Sequence, residues 1–153
     1  CVKASADAIL FTCSAFGPAI EAVRADLKIP VLKPNEAMYD ELCAQSRRVA
    51  LLATFQPSIP SMVTEIQDCA KSHGTRIDLT THLVEGALAA VQGGDPETHN
   101  RLIIEAAARH QEFDAIAFAQ FSMAPAVAGA RARVKTPILT TPDSAVQRLK
   151  SML

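Results

Sequence analysis

The sequence predicts an α/β fold with mainly parallel sheet. Along its 153 residues, short apolar runs alternate strictly with helical patterns, the order that parallel strands with crossover helices require. Runs such as 48–54, Arg-Val-Ala-Leu-Leu-Ala-Thr, are almost continuously apolar, as expected of strands covered on both faces. One strand–helix–strand unit also occurs twice.

The elements follow in order. Residues 8–12 (Ala-Ile-Leu-Phe-Thr) read as a buried strand, followed by a turn. Pro18 suits the first turn of a helix reaching about Leu27. Residues 29–32 form a second short strand, and 35–46 a helix with Asn35 as its N-cap. After the strand at 48–54, Ser58 and Pro60 open a helix that Gly74 closes. The Pro-rich stretch 56–60 is too short for a linker. A strand covers 76–84, the Gly93-Gly94-Asp95 turn precedes a helix at 96–110, and a buried strand covers 115–119. A helix at 125–132, a strand at 137–140 and a helix at 143–153 complete the chain.

Composition narrows the function. Lys plus Arg is 15 and Asp plus Glu is 16, a net charge of −1, without the basic concentration that nucleic-acid binding needs. No apolar run approaches the roughly 18 residues of a membrane span. The four cysteines, at 1, 13, 43 and 69, form no CxxC pair and match no local His cluster, so zinc-ribbon and thioredoxin-type motifs fail on spacing. Reduced thiols in the cytoplasm are the expectation. The chain opens on Cys1 in what reads as a helix already under way, which suggests that the true N-terminus lies upstream.

The repeat is the most informative feature. Shifted by 107 residues, segments 7–32 and 114–139 align without a gap and are identical at 11 of 26 positions, including Asp7/Asp114, Phe11/Phe118, Pro18/Pro125, Arg24/Arg131 and Pro30/Pro137. Two such units can face each other with the carboxyl ends of their strands around one cleft, the usual ligand position in open α/β sheets. Cys13 then corresponds to Gln120.

Cys13 follows a strand and precedes a helix N-terminus, where free N–H groups favour a thiolate or a substrate carboxylate; a small buried thiol is the plain alternative. Cys1, Cys43 and Cys69 read as packing residues. Thr54 and Ser58 flank the turn before the Pro60 helix and either bind a carboxylate or cap the helix. Gln120 and Ser122 either hydrogen-bond a substrate or complete a buried turn. Asp143 reads as a helix cap and Thr141 as a cleft candidate. His73 suits a helix C-terminus, His99 and His110 a solvated helix face, and His82 is a candidate second acid/base. Gly93-Gly94 lacks phosphate-loop spacing.

The strand–Cys-Ser–small turn at 13–15, the duplicated unit and Arg47-Arg48-Val-Ala-Leu-Leu-Ala-Thr54 resemble the aspartate/glutamate racemase superfamily, which includes hydantoin racemases, arylmalonate decarboxylase and maleate isomerase. The resemblance spans essentially the whole chain. It implies two pseudo-symmetric flavodoxin-like lobes with a cleft between them: 1–35 plus 141–153 as an incomplete first lobe, and 36–140 as the second. It further implies cofactor-independent racemase or isomerase chemistry on a small carboxylate-containing substrate, and a dimer. In two-cysteine members one thiol removes the α-proton and the other delivers a proton to the opposite face. The first cysteine motif maps onto Cys13, Ser14 and Ala15, and the second onto Gln120, Phe121 and Ser122. Gln120 has no titratable proton near neutrality, a departure from the two-thiol pattern. Three readings remain: Cys13 as lone proton donor after decarboxylation, Cys13 as a nucleophile toward a double bond, or a second base supplied elsewhere.

Overall fold

The aliphatic runs around 48–54 and 115–119 form the centre of the molecule. The computed structural model describes residues 1–13 and 16–153. Its elements are β1 (Ile9–Leu10), α1 (Gly17–Asp26), β2 (Val31–Leu32), α2 (Glu36–Gln45), β3 (Arg48–Ala53), α3 (Ile59–Ser72), β4 (Asp78–Leu83), α4 (Ala87–Gln92), α5 (Pro96–Ala108), β5 (Ala115–Phe118), α6 (Val127–Arg131), β6 (Ile138–Thr140) and α7 (Thr141–Met152). Short 3₁₀ turns cover Val2–Ala4, Gln56–Ser58 and Phe121–Ala126.

Two parallel sheets result, β1-β2 and β4-β3-β5-β6. In the larger sheet, successive side chains of β3 and β5 alternate between faces. Val49, Leu51, Ala53, Ala115 and Ala117 pack against α2 and α3 through Met38, Leu42, Met62 and Ile66. Ala50, Leu52, Ile116 and Phe118 pack against the opposite layer through Ile103, Ala107, Met123 and Ala130. This double covering explains why β3 and β5 read as unbroken apolar runs.

The segments related by the 107-residue shift pair alike. Ile9 pairs with Val31 as Ile116 pairs with Ile138. Arg24 donates to the Val31 carbonyl at 2.9 Å, as Arg131 donates to the Ile138 carbonyl at 2.8 Å. Gly74 stops α3 as expected: it holds φ at +63°, while the Gly74 and Thr75 amides return to the carbonyls of Lys71 and Ala70.

Several expectations are corrected. Asn35 does occupy the α2 N-cap position, yet its side chain makes no cap bond and donates instead to the Tyr39 hydroxyl at 3.1 Å. The α7 cap is Thr140, whose hydroxyl accepts from the Asp143 N–H at 3.3 Å; Asp143 lies in the first turn and pairs with Arg131 at 3.5 Å. The expected helix at 125–132 begins as the 3₁₀ turn, with Pro125 inside it. His99 and His110 are buried, not solvated. Of the cysteines read as packing residues, Cys43 is buried and Cys69 half-buried, but Cys1 is exposed.

Candidate functional site

The carboxyl ends of four strands converge on one cleft of about 410 Å³. Thr12 and Cys13 follow β1, Pro34 and Asn35 follow β2, and Phe55, Pro57, Ser58, Ser61 and Met62 come from the β3–α3 connection and the start of α3. Ala119, Gln120, Phe121 and Ser122 follow β5. Cys13 is an exposed residue. Cys13 and Gln120 therefore border the same space. Among the described lining residues, Cys13 is the sole thiol, and no carboxylate, imidazole or ammonium group joins it.

The Gln120 amide is fixed from behind. Its Oε1 accepts the Thr54 N–H at 2.9 Å, with the Thr54 hydroxyl at 3.4 Å. Its Nε2 donates to Ser58 Oγ at 3.1 Å, and Ser58 in turn donates to the Phe55 carbonyl at 2.8 Å. An amide nitrogen carries two protons, so one Nε2–H remains beyond the bond to Ser58. The N-terminal end of α3 lies along the same wall and favours negative charge there.

Two buried neighbours support this wall. Thr54 is 5% exposed and works behind the cleft surface, bonded to Gln120. His99 places its ring nitrogens 2.9 Å from the Ala87 carbonyl and 3.0 Å from the Ser122 carbonyl. It thereby ties α4 and α5 to the turn that carries Gln120 and Ser122.

The sequence-derived site residues thus divide. Cys13, Ser58, Gln120, Phe121 and Ser122 meet at the cleft. Thr54 reaches it through Gln120. Thr141 is fully buried, its hydroxyl has no partner among the described residues, and it is not among the cleft-lining residues. Ser14 and Ala15 lie outside the described residues. His82 is not among the lining residues either; its ring packs edge-on against His110, 4.9 Å between centroids, and burial followed by His110 pushes its pKa down.

Sequence reasoning missed Pro34, Asn35 and Ser61 as cleft residues. The signal for the first two was present, because both lie within three residues after β2, a strand whose counterpart in the repeat precedes Thr141. A neighbouring cavity of about 360 Å³ shares Pro34 and Asn35 and continues to Tyr39 and Glu65. Burial pushes both the Tyr39 phenol and the Glu65 carboxyl up.

The family model described as Asp/Glu/Hydantoin racemase matches residues 2–111. No curated protein sequence matches the chain. Among solved structures, glutamate racemase isoform RacE1 from Bacillus anthracis superposes with a TM-score of 0.70 at 13% identity, over 96% of this chain and 57% of that one. Allantoin racemase from Klebsiella pneumoniae gives 0.68 at 19% identity, over 98% and 60%. Arylmalonate decarboxylase gives 0.65 at 15% identity, over 98% and 70%. The chain thus spans less than two thirds of the length of the two racemases.

Proposed function

Because this chain belongs to the Asp/Glu/hydantoin racemase family, we propose that it is a racemase- or isomerase-type enzyme that uses Cys13, without a cofactor, at a carbon next to a carboxylate or carbonyl of a small acid. The observation that carries this reading is the shared cleft, with the exposed residue Cys13 on one wall and a fixed amide on the other.

The chemical problem is a weakly acidic C–H bond. The Cys13 thiolate removes the α-proton, the electron pair moves into the adjacent carboxylate to give an enediolate, and a second acid, supplied elsewhere than at Gln120, returns a proton to the carbon from the opposite face. The free Nε2–H of Gln120, the Ser122 hydroxyl and the α3 N-terminus face the developing negative charge. In this reading Ser14 and Ala15, which follow Cys13 in sequence, belong to the substrate-binding set, and Phe121 shapes the opposite wall. Residues 1–35 and 141–153 form one lobe and 36–140 the other, descended from a duplicated unit, with the contact of α7 and α2 as their seam. The protein works as a dimer in the cytoplasm.

A second reading is favoured by the single cleft thiol. A substituted malonate-type acid loses CO₂ to leave the same enediolate, and Cys13 protonates it on one face. Here one proton donor suffices, whereas inversion needs a second donor opposite Cys13. Chiral chromatography of small 2-substituted acids after incubation, with CO₂ release from substituted malonates measured in parallel, separates the two. Either activity falls by about 10²–10⁴-fold in Cys13→Ser. Ligand-dependent stabilisation with neither turnover would identify a non-catalytic binding protein instead.

A further inference from the structure

Away from the cleft, α2 and α3 bring together side chains that local sequence spacing does not join. Asp40 and Cys43 are three residues apart on α2, and Cys69 and His73 four apart at the end of α3. Such spacings put each pair on one helix face, and the two faces meet. Cys69 Sγ lies 3.4 Å from Asp40 Oδ1, and His73 Nε2 lies 3.1 Å from the same oxygen. Cys43 Sγ is 3.3 Å from Cys69 Sγ. The ligating atoms of Asp40, Cys69 and His73 all fall within 4.8 Å of one another.

We infer that Asp40, Cys69 and His73, with Cys43 beside them, form a binding site for a zinc-type divalent cation that clamps α2 to α3. Thiolate, imidazole and carboxylate together are the donors such an ion takes, in tetrahedral geometry. At ordinary zinc bond lengths that geometry separates sulfur from oxygen by about 3.5 Å and nitrogen from oxygen by about 3.3 Å. The sulfur–oxygen and nitrogen–oxygen distances in the cluster, 3.4 and 3.1 Å, match these closely. The second carboxylate oxygen is held too: Arg148 of α7 donates to Asp40 Oδ2 at 2.6 Å, the outer support that orients a ligating carboxylate. Charge also balances. A dication with the Cys69 thiolate, the Asp40 carboxylate and a neutral imidazole carries no net charge. The Cys69 thiol proton leaves to solvent as the ion binds. Asp40 and His73 border a surface hollow that gives the ion a route in.

The test is a cobalt(II) titration of the purified chain under reducing conditions, followed by displacement with zinc. One cobalt per chain is expected, with the strong visible bands of tetrahedral coordination and a near-ultraviolet thiolate-to-cobalt band. His73→Ala, at an exposed position, weakens binding by more than about tenfold. Cys69→Ser removes most of the thiolate band, and Cys13→Ser leaves the spectrum intact. Zinc raises the melting temperature of the unmodified chain more than that of His73→Ala. Weak octahedral-type absorption alone, or tetrahedral bands that survive in His73→Ala with full affinity, would overturn the assignment. If Cys69→Ser fails to fold, His73→Ala decides alone.

Discussion

Gln120→Met tests how the cleft wall is built. Methionine matches glutamine in length and removes the amide. The loss then falls on named partners. The Thr54 N–H, bonded to Oε1 at 2.9 Å, belongs to a residue only 5% exposed and is left without its acceptor. A buried unsatisfied donor costs about 1–3 kcal/mol. The Thr54 hydroxyl contact, at 3.4 Å, adds little. Ser58 keeps its bond to the Phe55 carbonyl and is half-buried, so it adds little as well. The sum is about 1–3 kcal/mol, a fall in melting temperature of about 2–12 °C for a domain of this size. Urea unfolding reads the same quantity as a lower midpoint at unchanged slope. Gln120→Glu retains an acceptor for Thr54 and recovers most of the loss. A Gln120→Met chain that melts within about 1 °C of the parent would refute the claim that this amide anchors the wall.

Other perturbations have equally definite outcomes. Gly74→Ala forces a side chain into φ +63° with nothing within 4 Å of the new Cβ, so its cost is conformational, about 1–2 kcal/mol by chemical denaturation. His99→Leu removes the ring that lies between the Ala87 and Ser122 carbonyls and lowers stability by about 1–3 kcal/mol; it also weakens ligand binding in the cleft, measured by calorimetry. Asp114 accepts from the Arg48 and Arg47 amides at 2.8 and 3.1 Å, and those bonds hold its carboxyl below the usual range. Its contribution is therefore present above the unfolded-state value near pH 4 and is lost as the pH falls through the lower folded-state value. Asp114→Asn flattens the acid limb of the stability–pH curve; an unchanged limb would contradict this.

The legible parts of the molecule were those set by local chemistry. Continuous apolar runs marked β3 and β5 because both faces are covered, and Gly74 marked the end of α3 because the backbone turns left-handed there. β1 proved shorter than the run at 8–12, since pairing with β2 involves only Ile9 and Leu10. α4 was missed because six residues are too few to show a helical period. His99 carried no signal: a histidine on a helix reads as solvated until the packing of α4 and the 3₁₀ turn around it is known. Cys13 and Gln120 were found through the repeat, which reports positions at strand ends. The Asp40–Cys69–His73 cluster has no linear motif, because its members come from two helices.

Deuterium incorporation at the α-carbon of a small carboxylic acid, followed by NMR in heavy water, asks most directly whether Cys13 exchanges protons in this cleft. The account predicts exchange with an accepted acid that falls at least about 10²-fold in Cys13→Ser and persists in Cys43→Ser. Exchange that continues undiminished in Cys13→Ser would contradict it.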